Sequence, residues 1–317
     1  IEVAQTGSAG IYAENGSAQA NTQSDVTNSG LVKMTGANSV GIIGEKSQIT
    51  NSGTGTGKGI EIYGTGSAGI LANNNSKVIN TGRIEGSTGA SLVGISVDST
   101  STVENSGTIT MKTTSNTGIS STGGAVTNTG TITLKAGSTN QDNIGMLANE
   151  KATGINEGTI QVKTLESVGM LGQAASEVIN RNTINLIAEK GIGMLAKDAT
   201  STALNDGDIN VTGEKSSGML AKEAGKAENK KNINVTAENG VGIFVSDTGE
   251  GINTTTGKIT LDSKNAVGIF AQNNGAGHTA QNAGEIILGK EDGTSANESL
   301  IGMFAQSKAG NTSSVKN

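Results

Sequence analysis

The chain repeats one short phrase along its whole length, and this periodicity constrains the fold more than any other feature. The segments GIGMLAKDAT (191–200) and SSGMLAKEAG (216–225) are nearly identical. The phrase, a glycine followed by Ile or Met, begins at Gly10, Gly41, Gly69, Gly94, Gly118, Gly145, Gly169, Gly193, Gly218, Gly242, Gly268 and Gly302. Repeat arrays form one continuous object, because each unit buries its apolar face only against its neighbours. We therefore expect a single domain over residues 1–317.

A second phrase, in which an Asn and a short turn precede Ile, lies between successive copies of the first. Examples are NTGRI at 80, NSGTI at 105 and NDGDI at 205. Each unit thus contains three short segments, such as VGMLG, SEVIN and TINLI. In TINLI, Ile184 and Leu186 alternate with polar residues, which is the period of a β-strand. No unit holds an amphipathic stretch long enough for a helix, so the pattern predicts an all-β chain.

The length of the repeat indicates how the strands are arranged. Three strands in a period of about 24–25 residues leave about eight residues for each side of a coil, whereas a left-handed hexapeptide helix needs about 18 residues per coil. The sequence predicts a right-handed, three-sided parallel β-helix, a solenoid of about 12 coils and, at about 4.8 Å per coil, a length of 55 to 60 Å. Longer intervals predict irregular or loop-bearing coils near 44–60 and 273–297. The recurring Asn is expected to form a structural ladder of hydrogen bonds along the stack.

The composition offers little material for catalysis or metal binding. The chain has no Cys, no Trp and two Tyr, and its single His, His278, cannot form a zinc site alone. We expect no catalytic residues, no metal and no cofactor, and we expect that the protein is not an enzyme. Polysaccharide-degrading enzymes do use β-helices, but they usually carry aromatic sugar platforms. The net charge of −6 argues against a nucleic-acid partner.

The glycine phrase also predicts an exposed apolar surface. By period 2, the residue before the glycine and those one and three positions after it share a face, and these are expected to point inward. The residue two positions after the glycine is then expected to point outward. The candidate binding residues of this outward ladder are Leu147, Leu171, Leu195, Leu220, Phe244, Phe270 and Phe304. Contiguous apolar patches on soluble proteins usually mark interaction surfaces. The alternative is that a kink at the glycine turns both side chains inward, or that a loop covers the ladder.

The repeat phrases resemble those of type V autotransporter passenger domains, and most closely those of fusobacterial outer-membrane adhesins, including the members that bind carcinoembryonic-antigen-related cell adhesion molecules (CEACAMs). The matching phrases are VGIFAQNN (267–274), VGMLGQ (168–173), GIGMLAK (191–197) and NSGTI (105–109). The resemblance implies a signal peptide and an outer-membrane anchor outside this fragment, and a rod exposed on the bacterial surface. It also implies a host receptor, for which CEACAM proteins and their apolar sheet face are the best single candidate. The coil length favours a monomeric passenger over a trimeric one.

Together these observations predict a non-enzymatic adhesin at the bacterial outer membrane. Its partner would be a host cell-surface protein, bound through the outward ladder. Three alternatives stay open at this point: a structural stalk segment of a larger autotransporter, a glycan-binding (lectin-like) adhesin, and a polysaccharide-degrading enzyme.

Overall fold

A computed structural model describes residues 1–15, 24–135, 140–273, 279–289, 299–307 and 314–317. The described residues form three parallel sheets of twelve strands each. No membrane-spanning helix occurs in this described part of the chain. Strands of the three sheets follow one another in strict rotation along the sequence, so each turn of the chain contributes one strand to every sheet. The predicted three-sided parallel β-helix is therefore confirmed.

The strands are short, with two to seven residues each. Sheet A contains β1 (Glu2–Val3), β4 (Leu31–Met34), β7 (Gly59–Ile62), β10 (Arg83–Gly86), β13 (Thr108–Met111), β16 (Thr131–Leu134), β19 (Thr159–Val162), β22 (Thr183–Leu186), β25 (Asp208–Val211), β28 (Asn232–Val235), β31 (Lys258–Leu261) and β34 (Glu285–Leu288). Sheet B contains β2 (Ala9–Glu14), β5 (Val40–Glu45), β8 (Ala68–Asn73), β11 (Val93–Val97), β14 (Thr117–Thr122), β17 (Ile144–Asn149), β20 (Val168–Gly172), β23 (Ile192–Lys197), β26 (Ser217–Lys222), β29 (Val241–Ser246), β32 (Val267–Asn273) and β35 (Ile301–Ser307). Sheet C contains β3 (Ser24–Asn28), β6 (Ser47–Asn51), β9 (Lys77–Asn80), β12 (Thr102–Asn105), β15 (Ala125–Asn128), β18 (Thr153–Asn156), β21 (Glu177–Asn180), β24 (Thr202–Asn205), β27 (Lys226–Asn229), β30 (Glu250–Asn253), β33 (Thr279–Asn282) and β36 (Val315–Lys316).

Equivalent residues of successive coils lie directly above one another. Ile184 of β22 pairs with Ile209 of β25, and Leu186 pairs with Val211. The inward side chains of all three sheets form one interior cluster that extends from Val3 to Ala280. Because like residues stack on like residues, the contacts that stabilise a coil come from the coils immediately above and below it.

The buried asparagines form the expected structural ladder. The Asn180 side-chain amide donates to Asn205 Oδ1 at 2.9 Å and accepts at its own oxygen from Asn156 at 2.8 Å. The ladder also includes asparagines outside the second repeat phrase, in which an Asn and a short turn precede Ile. These are Asn28, Asn51, Asn253 and Asn317.

The two regions predicted to be irregular differ in what the structure describes. Near 44–60, strand β6 has ordinary length and the extra residues occupy the link at 52–58 between β6 and β7. Within 273–297, the backbone is described at residue 273 and over 279–289, where β33 and β34 continue their sheets. The remainder of that region, with His278, lies outside the described residues.

Candidate functional site

The predicted ladder lies on the outer face of sheet B. In β20, Met170 points into the solenoid and is fully buried, whereas the next side chain, Leu171, belongs to a separate cluster outside the interior core. The same column holds Phe304, which is 41% exposed, and Tyr12, which is 58% exposed. All seven candidate residues occupy this column, since each pairs in register with its counterpart on the next strand. Their role in binding remains a prediction.

The prediction for the residue before the glycine was wrong. Val168 is half-buried and packs on the outer cluster rather than on the interior core. It lies three positions before Leu171, so the strict alternation of the strand is interrupted at Gly169. Gly169 and Met170 are both buried, and the ladder pairing skips Gly169. A Cβ at Gly169 would lie 2.6 Å from the carbonyl oxygen of Gly193 in the next coil, so the close approach of the backbones at this column requires glycine.

Sheet B therefore presents two apolar columns instead of one. We call them together the apolar strip. The column before the glycine consists of Ala9, Val40, Ala68, Val93, Thr117, Ile144, Val168, Ile192, Ser217, Val241, Val267 and Ile301. The column after it consists of Tyr12, Ile43, Leu71, Ser96, Ser120, Leu147, Leu171, Leu195, Leu220, Phe244, Phe270 and Phe304. The sequence contains a signal that the first column points outward. Polar Thr117 and Ser217 occur there, whereas the inward position after the glycine is always Ile or Met.

The middle of the strip is closely packed. Leu171, Leu195 and Leu220 retain only 8%, 7% and 9% of their exposed surface, and they form a cluster of their own. Neighbouring side chains of the first column, such as Ile192, lie against this cluster. The leucines thus cover one another along the rod and leave a smooth apolar surface.

The last three coils of the strip carry Phe in the second column. The rings of Phe244 and Phe270 are stacked, with centroids 5.1 Å apart and planes 13° apart. Phe304 continues the stack at 5.3 Å from Phe270, with its ring tilted by 36°. Phe270 thus has a ring on each side, whereas Phe304 at the end of the stack has a ring on one side only. Ring edges carry the positive end of the aromatic quadrupole.

A polar column borders the strip on the side toward sheet C, four residues after each glycine. Its charges are divided by sign along the rod. Glu14, Glu45 and Asp98 lie in the N-terminal coils, and Lys197 and Lys222 lie in later ones. Partial burial acts to raise the pKa of Asp98, but hydrogen bonds from the Asn74 and Thr100 amides and from nearby hydroxyls outweigh it and lower the pKa. This carboxylate is therefore ionised at neutral pH.

The opposite border is a turn in which one residue per coil has a positive φ. This residue lies three positions before the glycine and includes Glu166, Lys190 and Lys215 as well as Asn and Gly. Ion pairs connect this corner from coil to coil, with Lys190 Nζ 2.8 Å from Glu166 and Lys215 Nζ 2.9 Å from Glu189. Hydrogen bonding to Glu166 raises the pKa of Lys190, and hydrogen bonding from Lys215 lowers the pKa of Glu189. These exposed pairs carry little stability.

The described residues offer no arrangement suited to metal chemistry. No three His, Cys, Asp or Glu side chains among them gather closely enough to hold a metal ion. A shallow groove at the turn between sheets C and A is lined by Gly82, Gly107, Thr108 and Arg83. Arg83 is held there by Glu61 and Glu85, which neutralise it. The apolar strip is thus the surface feature that most distinguishes this rod.

Sequence comparison relates the chain to one family. The family described as BigA third pectate lyase-like domain matches residues 86–257 and, a second time, residues 193–314. The two matches overlap, and both lie within the part of the sequence that repeats once per coil. Comparisons with curated protein sequences and with solved structures gave no match.

Proposed function

Because this chain belongs to the family of the BigA third pectate lyase-like domain, we propose that it is the rod-shaped passenger of a bacterial surface adhesin and binds a protein on the host cell. The rod would be exported to the outer membrane and held there by an anchor beyond this fragment. The observation that carries the proposal is the apolar strip, whose outward Leu and Phe side chains lie on a face that no other described part of the chain covers.

The chemistry of the strip favours a protein partner over a glycan. Sugar rings bind aromatic side chains by lying on the ring faces, and both faces of Phe270 are occupied by the neighbouring rings. Hydroxyl groups are few in the two columns and come from Tyr12, Ser96, Thr117, Ser120 and Ser217. A strip composed mainly of aliphatic and Phe side chains suits an apolar protein surface. CEACAM proteins, with their apolar sheet face, are the first receptors to test.

We further propose that the domain is not an enzyme. Catalysis on polysaccharide would need converging acids or bases beside a sugar-binding cleft. Several of the described acidic groups instead pair with lysine or arginine, as in the contact of Glu157 with Arg181 at 2.9 Å. Others, such as Asp198, accept hydrogen bonds from backbone amides and hydroxyls of the turns.

The experiment measures the binding of two variants, one triple and one double, to immobilised CEACAM N-terminal domain and to host cells. Leu220→Ser, Phe244→Ser and Phe270→Ser are combined in the strip variant. Loss of these anchors is expected to weaken binding at least tenfold, since large apolar side chains dominate interface energies. Circular dichroism checks that both variants keep their β-structure.

The matched control carries the same kind of change on a different face. Ile155 and Ile179 are half-buried, outward residues of sheet C, and the control variant Ile155→Ser, Ile179→Ser should bind as the wild type does. Equal binding by the wild type and the strip variant would exclude the strip as the binding surface. Loss of binding after enzymatic deglycosylation of the receptor would instead identify a glycan ligand.

A further inference from the structure

We propose that the apolar strip also pairs with a second copy of this chain, in an antiparallel dimer whose two-fold axis passes between the sixth and seventh coils. Coils are numbered here by the strands of sheet B, so that β2 lies in coil 1 and β35 in coil 12. In this arrangement coil 4 of one copy faces coil 9 of the other, and all twelve coils overlap. Three properties of the strip support it: side-chain size, charge and area.

The side chains along the strip are complementary in size under this pairing. Ser96 and Ser120 of coils 4 and 5 are the only small residues of the second column. The pairing places them opposite Leu220 and Leu195 of the second copy. Phe244 of coil 10 would face Leu71 of coil 3. Small side chains that face large ones are compatible with the self-complementarity that a two-fold interface requires.

The border charges are complementary in the same register. Asp98 in coil 4 would face Lys222 in coil 9 of the second copy, and the two-fold axis creates this contact twice. Lys222 Nζ already lies 3.5 Å from Glu223 of its own chain, so Asp98 would join that pair. With parallel rods, coil 4 would face coil 4 and coil 9 would face coil 9, so Asp98 and Lys222 would not meet. On the other border Asp142 would face Glu166, whose charge is already balanced by Lys190 at 2.8 Å.

The available area is sufficient for a stable dimer. Eleven steps of about 4.8 Å along the rod and about 20 Å along a six-residue strand give sheet B a face of about 1,000 Å². Stable interfaces bury about 800 Å² per partner. The strip and its borders therefore offer enough surface for association, and both columns of the strip are free of charged side chains.

This pairing does not depend on receptor binding, although it uses the same strip. All three sheets are built by one chain, so the fold itself needs no second copy. If both proposals hold, the dimer hides the receptor-binding surface, and a receptor must compete with the second copy for it. The two proposals are separated by measuring self-association without receptor and receptor binding at protein concentrations below the dissociation constant of the dimer.

The first test is the mass in solution. Sedimentation velocity from 1 to 200 µM protein should show a species of twice the 31.6 kDa chain mass. The variant Phe244→Ser, Phe270→Ser and the border variant Lys222→Glu should each raise the dissociation constant about tenfold or more. The control Ile155→Ser, Ile179→Ser should dimerise like the wild type. A monomer at every concentration overturns the proposal.

The second test determines the orientation of the two chains. The sequence contains no Cys, so single cysteines can be introduced without background. Asn73 in coil 3 and Ser246 in coil 10 both lie on the polar border, and antiparallel pairing brings them face to face. A mixture of Asn73→Cys and Ser246→Cys proteins should be linked by a short bismaleimide, whereas Asn73→Cys alone should not, because its two copies lie about 34 Å apart. Cross-linking of either variant with itself contradicts the antiparallel dimer. Absence of cross-linking in the mixture of the two variants contradicts it as well.

Discussion

The asparagine ladder of sheet C is satisfied by the equivalent asparagines of the coils above and below and by nearby backbone carbonyls. Asn180 is fully buried, and its amide donates both to Asn205 Oδ1 and to the carbonyl oxygen of Asn182 at 3.1 Å. A buried amide is costly unless its donors and acceptors are paired. The ladder pairs them through the regular spacing of the coils, and it therefore penalises any coil that is out of register.

Replacing Asn180 with Ala should destabilise the rod by about 3 kcal/mol, because it creates a cavity and leaves the Asn156 amide without its partner oxygen. The matched control is Asn185→Ala in the same coil. Asn185 lies on the outer face of sheet A and bonds to Asn210 at 2.9 Å, but it is only partly buried, so its loss should cost less than about 1 kcal/mol. Urea unfolding measures both, and equal costs would contradict a structural role specific to the buried ladder.

Asp198 should make stability depend on acid pH. Its carboxylate accepts the Ala174 amide and the Ser201 hydroxyl, both at 2.8 Å. Partial burial acts to raise its pKa, but these hydrogen bonds outweigh burial, and the pKa is lowered. A lowered folded-state pKa gives stability that is present above the unfolded pKa of about 4 and is lost as pH falls through the folded value.

The variant Asp198→Asn should therefore be less stable than the wild type by about 1 kcal/mol at pH 7. The difference should shrink as pH falls below about 4, where the wild-type carboxylate gains its proton. Thermal melts at pH 7, 5 and 3 provide the measurement. A difference that stays constant across this range would show that the charge of Asp198 contributes nothing.

At the scale of the strand, the sheet B segments show where period 2 succeeds and where it fails. Alternation correctly identified Met170 as inward and Leu171 as outward. It failed for Val168 because Gly169 and Met170 are consecutive buried positions, which breaks the alternation. Glycine is needed there because a Cβ would lie 2.6 Å from the carbonyl oxygen of Gly193, 24 positions away, and no local pattern contains that approach.

The two glycines of β20 should respond oppositely to a methyl group. In Gly169→Ala the new Cβ would lie 2.6 Å from the Gly193 carbonyl and 3.1 Å from Ile184 Cγ2, so a loss of about 1–3 kcal/mol is expected. In Gly172→Ala the nearest atom would be 3.2 Å away, and the equivalent residue of the next coil is Ala196. This second variant should be neutral or slightly stabilising. Equal melting temperatures for the two variants would contradict the close approach of the backbones at Gly169.

For the whole molecule, the repeat period alone was enough to predict the number of sides, the parallel pairing and the buried ladder. A repeat carries this information because equivalent side chains pack in the same way in every coil. The corner turns were harder to predict, since Glu166, Lys190 and Lys215 adopt positive φ where Gly or Asn is usually found. Their conformation is imposed by the strands on both sides, so tertiary context overrides local preference there.

Deletion of one complete coil should leave the fold intact. Removing residues 181–205 joins Asn180 to Asp206 and reproduces the natural Asn205–Asp206 junction. Because contacts reach only neighbouring coils, the shortened protein should keep its circular dichroism spectrum and lose about 5 Å of length by small-angle X-ray scattering. Global unfolding of this variant would show that distant coils depend on one another.

The strict rotation of strands through three sheets also fixes how such a chain can be assembled in time. Hydrogen bonds between equivalent residues span about two dozen positions, so a finished coil is a template for the segment that emerges next. A polypeptide threaded through a narrow pore would need to deliver only roughly fifty residues before two coils could seal against each other. Every later coil would then pair with the completed edge of the coil before it. This pairing would prevent the chain from moving back through the pore, so that the free energy of folding would drive secretion.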